Sequence, residues 1–449
     1  MALLPLTYRR PHYVPKEEVA RSLASASDSD FGEKSDGSVK SGLSSTPVGI
    51  PDALAFDKII AGGVCPPCTL RDFMNYLLYI EHSAENLQFF LWYRDYSERF
   101  HEAPAAEVDL APEWTQDKEK DALAQIRKNA AHRAKKRFSG ALSIFKGTDF
   151  EKKPEPHVEK RNLLFTSSNS SETERDGASL RSDTQAMSLD SRIRDAYASA
   201  GAEPPVTTIQ PFREEINRVI TTYLVEGAPR QLNLSDREYQ AVFHALSYTT
   251  HPTAFRTLAQ IIERMLRQQA HPNFVRWNIR NCNPTRVTFA RGLGVGITLL
   301  ATIGAIATTL SGAQRGWRAL FAIPWVSGLS TLITATKGMC VVLHGLHRQH
   351  VRPWELFADD PLGSTEKLSG GNNSFESFGS RNSYEDEPWV ARYDRRFVVR
   401  KIFDREIWIQ EPALRRIQDT VFLQSVLFAL LGTGALTAVF VAVPAGNLF

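Results

Sequence analysis

The chain has 449 residues, a net charge of +3 and four cysteines. That length leaves room for two or three folded units, and the small net charge gives no reason to expect a nucleic-acid partner. So few cysteines exclude a disulfide-stapled extracellular scaffold. No cofactor or metal is expected from the motifs present.

Residues 1–51 are rich in Ser, Asp, Lys and Gly and poor in large apolar side chains. They cannot bury enough surface to offset the entropy of ordering, so a disordered tail is predicted. The first thirty residues also lack the apolar core of a secretory signal. Phe56, Ile59 and Ile60 then open an apolar stretch that Gly62 and Gly63 break. Cys65 and Cys68 have redox or zinc spacing, but no second cysteine pair accompanies them. Thr69 with Asp72 three residues on reads as a capping box for a helix carrying Leu70, Phe73, Tyr76 and Leu77.

A polar cluster, Ser83, Glu85 and Asn86, introduces the strongest helical pattern in the chain. Leu87, Phe90 and Leu91 form one stripe, and Phe89, Tyr93 and Tyr96 widen it. Ser83 is placed to cap this helix and Glu85 lies in its first turn, where an anion is favoured. The helix ends near Phe100, and residues 101–205 break the pattern, which predicts a long disordered insertion. Within it, residues 127–137 carry Arg127, Lys128, Arg133, Lys135, Lys136 and Arg137 without an acidic residue. Such a run suits anionic lipid on a cytoplasmic leaflet.

Order resumes with Phe212, Ile216, Ile220 and Leu224 at helical spacing. Asn233 or Ser235 is placed to cap the next helix, 237–247, and Pro252 opens another over 254–269. The last third has three apolar runs of bilayer-spanning length: 292–314, 319–343 and 420–444. These divide into two spans within 287–346, a loop over 347–418 and a third span over 419–444. Lys337 interrupts the second run and is expected to snorkel. Gly292 and Gly296 form a small-residue helix-packing pair. Arg276, Arg280, Arg286 and Arg291 precede the first span, and Arg348, Arg352, Arg392, Arg395, Arg396, Arg400, Lys401, Arg415 and Arg416 follow the second, whereas the turn between them has Arg315 and Arg318. The positive-inside rule therefore puts the helical region and the long loop in the cytoplasm, with the plasma membrane the expected location. Sequons at Asn169, Asn233 and Asn372 would then go unused.

Two blocks carry a resemblance. Leu70, Phe73, Tyr76 and Leu77 followed by Ser83, Glu85, Asn86, Leu87 and Phe89 resemble the signature of the regulator-of-G-protein-signalling (RGS) domain. The downstream order is also similar: Tyr223-Leu224, then Asn233-Leu234-Ser235, a helix, Pro252-Thr253-x-Phe255, and Phe274. The resemblance implies an all-α, RGS-like antiparallel bundle over 52–275, split by the insertion and followed by three transmembrane helices.

It further implies binding of a heterotrimeric Gα subunit and acceleration of its GTP hydrolysis. The domain has no catalytic residue of its own: it holds the Gα switch segments in the shape that favours the transition state. Carried over by position, Ser83, Glu85 and Asn86 form one contact tip and Asn233 with Ser235 a second. Asn86 starts one helix and Asn233 follows the next, so antiparallel packing would put both at one end. At the third tip Met265, Gln269 and Asn273 stand where active members commonly carry Leu, Asp and Arg, so a charge-assisted anchor is lost. The alternative comes from the order of RGS-like domain, three spans and long loop, which resembles fungal bud-site-selection proteins. It implies a membrane scaffold or polarity landmark without GTPase-activating activity, self-associating or bound to another membrane protein.

Overall fold

A computed structural model of the chain describes residues 49–128, 189–205, 210–311, 313–357 and 388–444. Its helices begin where the sequence supplies a cap. After the short α1 (Phe56–Ile60), Thr69 opens α2 (Leu70–Tyr76) with the expected capping box. The Asp72 carboxylate accepts from the Thr69 N–H at 2.9 Å, and the Thr69 hydroxyl accepts from the Asp72 N–H at 3.2 Å. A π turn, Leu77–Glu81, continues α2 until His82 stops it in a left-handed conformation at φ 52°. The helix α3 (Ala84–Glu102) starts directly after Ser83.

Next come α4 (116–128), α5 (Leu189–Ala200) and α6 (Arg213–Val219), the last extended by a π turn, Ile220–Leu224. The helix α7 (Asp236–Tyr248) is followed by α8 (Arg256–Met265), whose own π turn, Leu266–Ala270, leads into α9 (His271–Ile279). Later helices include α10 (Pro284–Leu310), α11 (Ala322–Thr336), the short α12 (Val398–Ile402) and α13 (Pro412–Ala442). Proline occupies the first turn of α10 and α13, where its missing N–H costs nothing.

The chain divides into two compact units, Met1–Trp92 with Ala259–Phe449, and Tyr93–Leu258. Both boundaries fall inside helices, α3 and α8, so the residues expected to make one bundle over 52–275 are shared between the units. In the first unit α1, α2, α3 and α9 meet through rings: Phe73 lies 4.9 Å from Phe274, Phe56 5.8 Å from Phe90, and Tyr76 5.5 Å from Phe274. In the second unit Tyr96, Phe100 and Phe212 cluster, and the Tyr96 hydroxyl donates to the Thr250 carbonyl.

The second unit also corrects the expectation for 101–205. Both shoulders of that stretch are helical and packed. Tyr197 on α5 meets Phe243 edge-on at 4.9 Å, and the Trp114 N–H donates to Thr253 Oγ1 at 2.9 Å. Ile193, Ala196, Tyr197 and Ala200 are buried at helical spacing, enough apolar surface to offset ordering. Residues 129–188, with most of the basic run 127–137, lie outside the described residues, as does the tail over 1–48.

Three helices are long and apolar enough to cross a membrane: Pro284–Leu310, Arg315–Thr336 and Pro412–Ala442. The first and third start eight residues before their apolar runs, because a capped helix does not end where hydropathy changes. The second is shorter than expected. Gly338 takes φ 80°, and Gly338 and Met339 donate to the carbonyls of Ala335 and Thr334, a Schellman stop. Lys337 therefore caps a helix end and does not interrupt a span.

The expected pair Gly292 and Gly296 also gives way: a Cβ at either would meet nothing within 4 Å, whereas one at Gly294 would come within 2.9 Å of the Leu332 nitrogen and 3.0 Å of the Gly328 carbonyl. The close approach of α10 and α11 is thus made by Gly294 and Gly328. The loop over 347–418 departs from the all-α expectation, since its ends pair as a two-stranded antiparallel ribbon, β1 (Arg348–His350) and β2 (Glu406–Trp408).

Candidate functional site

The π turn before Ser83 and the left-handed His82 turn the chain sharply, so α3 begins at a corner. At this corner Glu85 and Asn86 are half-buried, while the Ser83 side chain is buried. Ser83 therefore belongs to the packing of the corner, and its N–H donates to the Leu77 carbonyl at 2.9 Å. Glu81, at the end of the π turn, accepts from Gln269 Nε2 at 3.3 Å. The π turns Leu77–Glu81 and Leu266–Ala270 are thus in contact within the first unit.

That contact places the third-tip residues. Met265 is half-buried, but Gln269 and Asn273 are only 5% and 3% exposed. Both lie on the face of α8 and α9 that packs inward, and beside them His271 is fully buried with Nε2 at 2.8 Å from the Leu54 carbonyl. Burial holds the His271 imidazole down at about 4, so it is neutral and Nε2 donates. The charged side chain beside Gln269 and Asn273 is Arg267, and its partners are internal. Arg267 reaches Asp57 and Glu263, both at 2.8 Å, with its guanidinium 4.6 Å above the Phe56 ring. Sequence reasoning passed over it, although Glu263 and Arg267 stand at i, i+4.

The second tip lies in the second unit, and both of its residues are exposed. Of the two candidate caps, Ser235 is the one used: its hydroxyl accepts from the Glu238 N–H, and the Glu238 carboxylate accepts from the Ser235 N–H at 2.8 Å. Asn233, two residues earlier, is left with its amide at the surface. A π turn, Leu77–Glu81, leads into the Ser83 corner; another, Ile220–Leu224, ends α6 upstream of Asn233; and a third, Leu266–Ala270, follows Met265 and contains Gln269. Such turns recur at functional sites.

Two cysteine pairs meet different fates. The Cys65–Cys68 turn clasps the start of α13: the Pro66 carbonyl accepts from Gln410 and Glu411 N–H, and the Cys65 N–H donates to Glu411 Oε2 at 3.0 Å. Burial and nearby carboxylates push the Cys68 thiol well up, which makes it inert. Cys340 is the contrasting case. It caps the turn Val341–Gly345, and the neighbouring Cys282 thiol lowers its pKa below the ordinary thiol value. Among the described residues no group of three or more His, Cys, Asp or Glu side chains is arranged to hold a metal ion.

Comparison of the chain with protein-family models, with curated proteins and with solved structures finds no match.

Proposed function

We propose that the chain is a membrane-anchored RGS-type regulator that binds a heterotrimeric Gα subunit and promotes its GTP hydrolysis. The observation that carries this reading is the corner at Ser83, where a left-handed His82 presents Glu85 and Asn86 at the start of a long aromatic helix. Asn233, exposed before a Ser235 capping box, supplies a second amide able to donate and accept at once. No arginine finger is required, because positioning and charge stabilisation carry most of phosphoryl transfer. Three helices of bilayer-spanning character follow α9 closely. They would confine the regulator to the cytoplasmic face of the plasma membrane with lipid-anchored Gα, raising effective concentration without a new contact.

The burial of Gln269 and Asn273 favours a second reading, in which the same surfaces dock a partner on a membrane scaffold or polarity landmark with no GTPase activation. Single-turnover GTP hydrolysis by lipid-anchored Gα, beside the full chain in the same vesicles, separates the two. Acceleration that Asn86→Ala and Asn233→Ala each abolish supports the regulator. A folded, reconstituted chain that leaves every Gα tested at its intrinsic rate rejects it in favour of the scaffold.

A further inference from the structure

The segment between the β ribbon and the preceding helical turn exposes an unusual mixture. Phe397, Val398, Val399 and Phe403 are 72, 56, 52 and 65% exposed around α12, and Trp408 on β2 is 58% exposed. Residues 392–408 carry six basic side chains, Arg392, Arg395, Arg396, Arg400, Lys401 and Arg405, against Asp394, Asp404 and Glu406. Two of the three acids are engaged: Asp404 with Arg396 at 2.9 Å and Glu406 with the buried Arg286 at 2.9 Å. No ion pair among the described residues involves Arg395, Arg400 or Arg405. In water so many exposed apolar side chains on one short stretch would be costly.

The height of this segment is set by its contacts with the first span. Asn283, the N-cap of α10, accepts from the Arg286 N–H at 2.8 Å and donates through Nδ2 to the Lys401 carbonyl. One turn further along, Phe289 on the exposed face of α10 meets the Phe403 ring at 6.1 Å. That face continues through Leu293 and Leu300, which are exposed along a helix of spanning character. Phe403 thus extends the lipid-facing surface of α10 sideways at its basic end. Trp408 stands just before α13, with the Arg415 guanidinium 5.1 Å above its ring, the position of an interfacial tryptophan.

We propose that residues 395–408 form a foot lying in the bilayer interface, with Phe397, Val398, Val399 and Phe403 among the acyl chains and Arg395, Arg400 and Arg405 on the headgroups of anionic phospholipids. Apolar insertion and basic attraction act together in such elements, and neither suffices alone. The buried Arg286–Glu406 pair and the Asn283–Lys401 bond hold the foot at fixed depth. The inference rests on the spans crossing a bilayer and is independent of any Gα partner.

The test uses the full chain in nanodiscs, with Cys65→Ser and Cys340→Ser removing the accessible thiols and Val399→Cys carrying an environment-sensitive fluorophore. Nitroxide lipids labelled near the headgroup read insertion, in phosphatidylcholine alone and with phosphatidylserine. The ratio of inserted to exposed label is expected to rise about tenfold with phosphatidylserine. Arg395→Gln, Arg400→Gln and Arg405→Gln together should remove that rise. Equal quenching in both lipids would overturn recognition of anionic headgroups, and a water-exposed label in both would overturn the foot. A probe at Leu300→Cys, read with deep nitroxides, separates the causes: if it too is unquenched, the spans themselves are misread and the foot falls with them.

Discussion

Within the first unit, the helices α1, α2, α3 and α9 meet through aromatic rings, whereas α10 and α11 meet through glycines. Phe56, Phe73, Phe90 and Phe274 fill the first contact, and all are buried. Gly294 and Gly328 make the second, and a Cβ on Gly328 would stand 3.0 Å from the Thr298 nitrogen. The polar links differ as well. Among the spans Trp325 Nε1 donates to Thr302 Oγ1 at 3.1 Å, and the buried Arg318 donates to the carbonyls of Phe440 and Val443, at the C-terminal end of α13. Water drives large rings together by expelling itself. Lipid tails offer no such drive, so helices in that solvent associate by close backbone approach and by hydrogen bonds that have no better partner.

The comparison can be tested from its largest effect downward. Phe274→Ala removes the ring on which Phe73 and Tyr76 converge and should cost about 3–5 kcal/mol. Chemical denaturation followed by tryptophan fluorescence reads this, and a loss below that of an exposed control such as Tyr248→Ala would mean the ring cluster is not the core of the first unit. His271 makes the same region sensitive to acid. Its folded value of about 4 lies below the ordinary 6.5, so the unfolded chain takes up the proton first. Its contribution is therefore fully present above pH 6.5 and is lost as the pH falls towards 4, by roughly 3 kcal/mol. His271→Gln should flatten that part of the pH dependence; identical slopes in variant and wild type would refute it.

In the spans the contrast is positional. Gly328→Val should cost about 1–3 kcal/mol of helix association through overpacking. The same change at Gly296, which faces open space, should be nearly silent. Cross-linking of α10 to α11 in nanodiscs distinguishes the two, and equal effects would return the packing role to the Gly292–Gly296 pair. The smallest effect belongs to the second unit. Ser235→Ala removes the cap of α7 and should cost about 1 kcal/mol, whereas Asn233→Ala should leave stability within about 0.5 kcal/mol. A larger loss at Asn233 would mean its amide serves the fold and is not free for a partner.

What was legible followed from local chemistry. The caps at Thr69 and Ser235, the aromatic stripe of α3 and the three apolar runs are written in residues a few positions apart; the caps and the stripe appear where their patterns predict, and each apolar run lies in a spanning helix whose ends differ from it. Misreadings arose where a second element decides. The shoulders of the insertion looked too polar to order, but Tyr197 and Trp114 each found a partner on a helix forty or more residues away. Residues 347–418 read as loop because three-residue strands leave no periodicity to detect.

The candidate tips divide along the same line. Sequence alone determined that polar residues stand at the starts of α3 and α7 and that three segments suit a bilayer. Helical periodicity and hydropathy are properties of neighbouring residues, so they survive without knowledge of the fold. Only the tertiary structure decided that Ser83, Gln269 and Asn273 turn inward while Asn233 stays at the surface, and that Gly294 rather than Gly292 or Gly296 meets a partner helix. A period of 3.6 residues says which side chains lie together, but what that face meets depends on packing across distant parts of the chain.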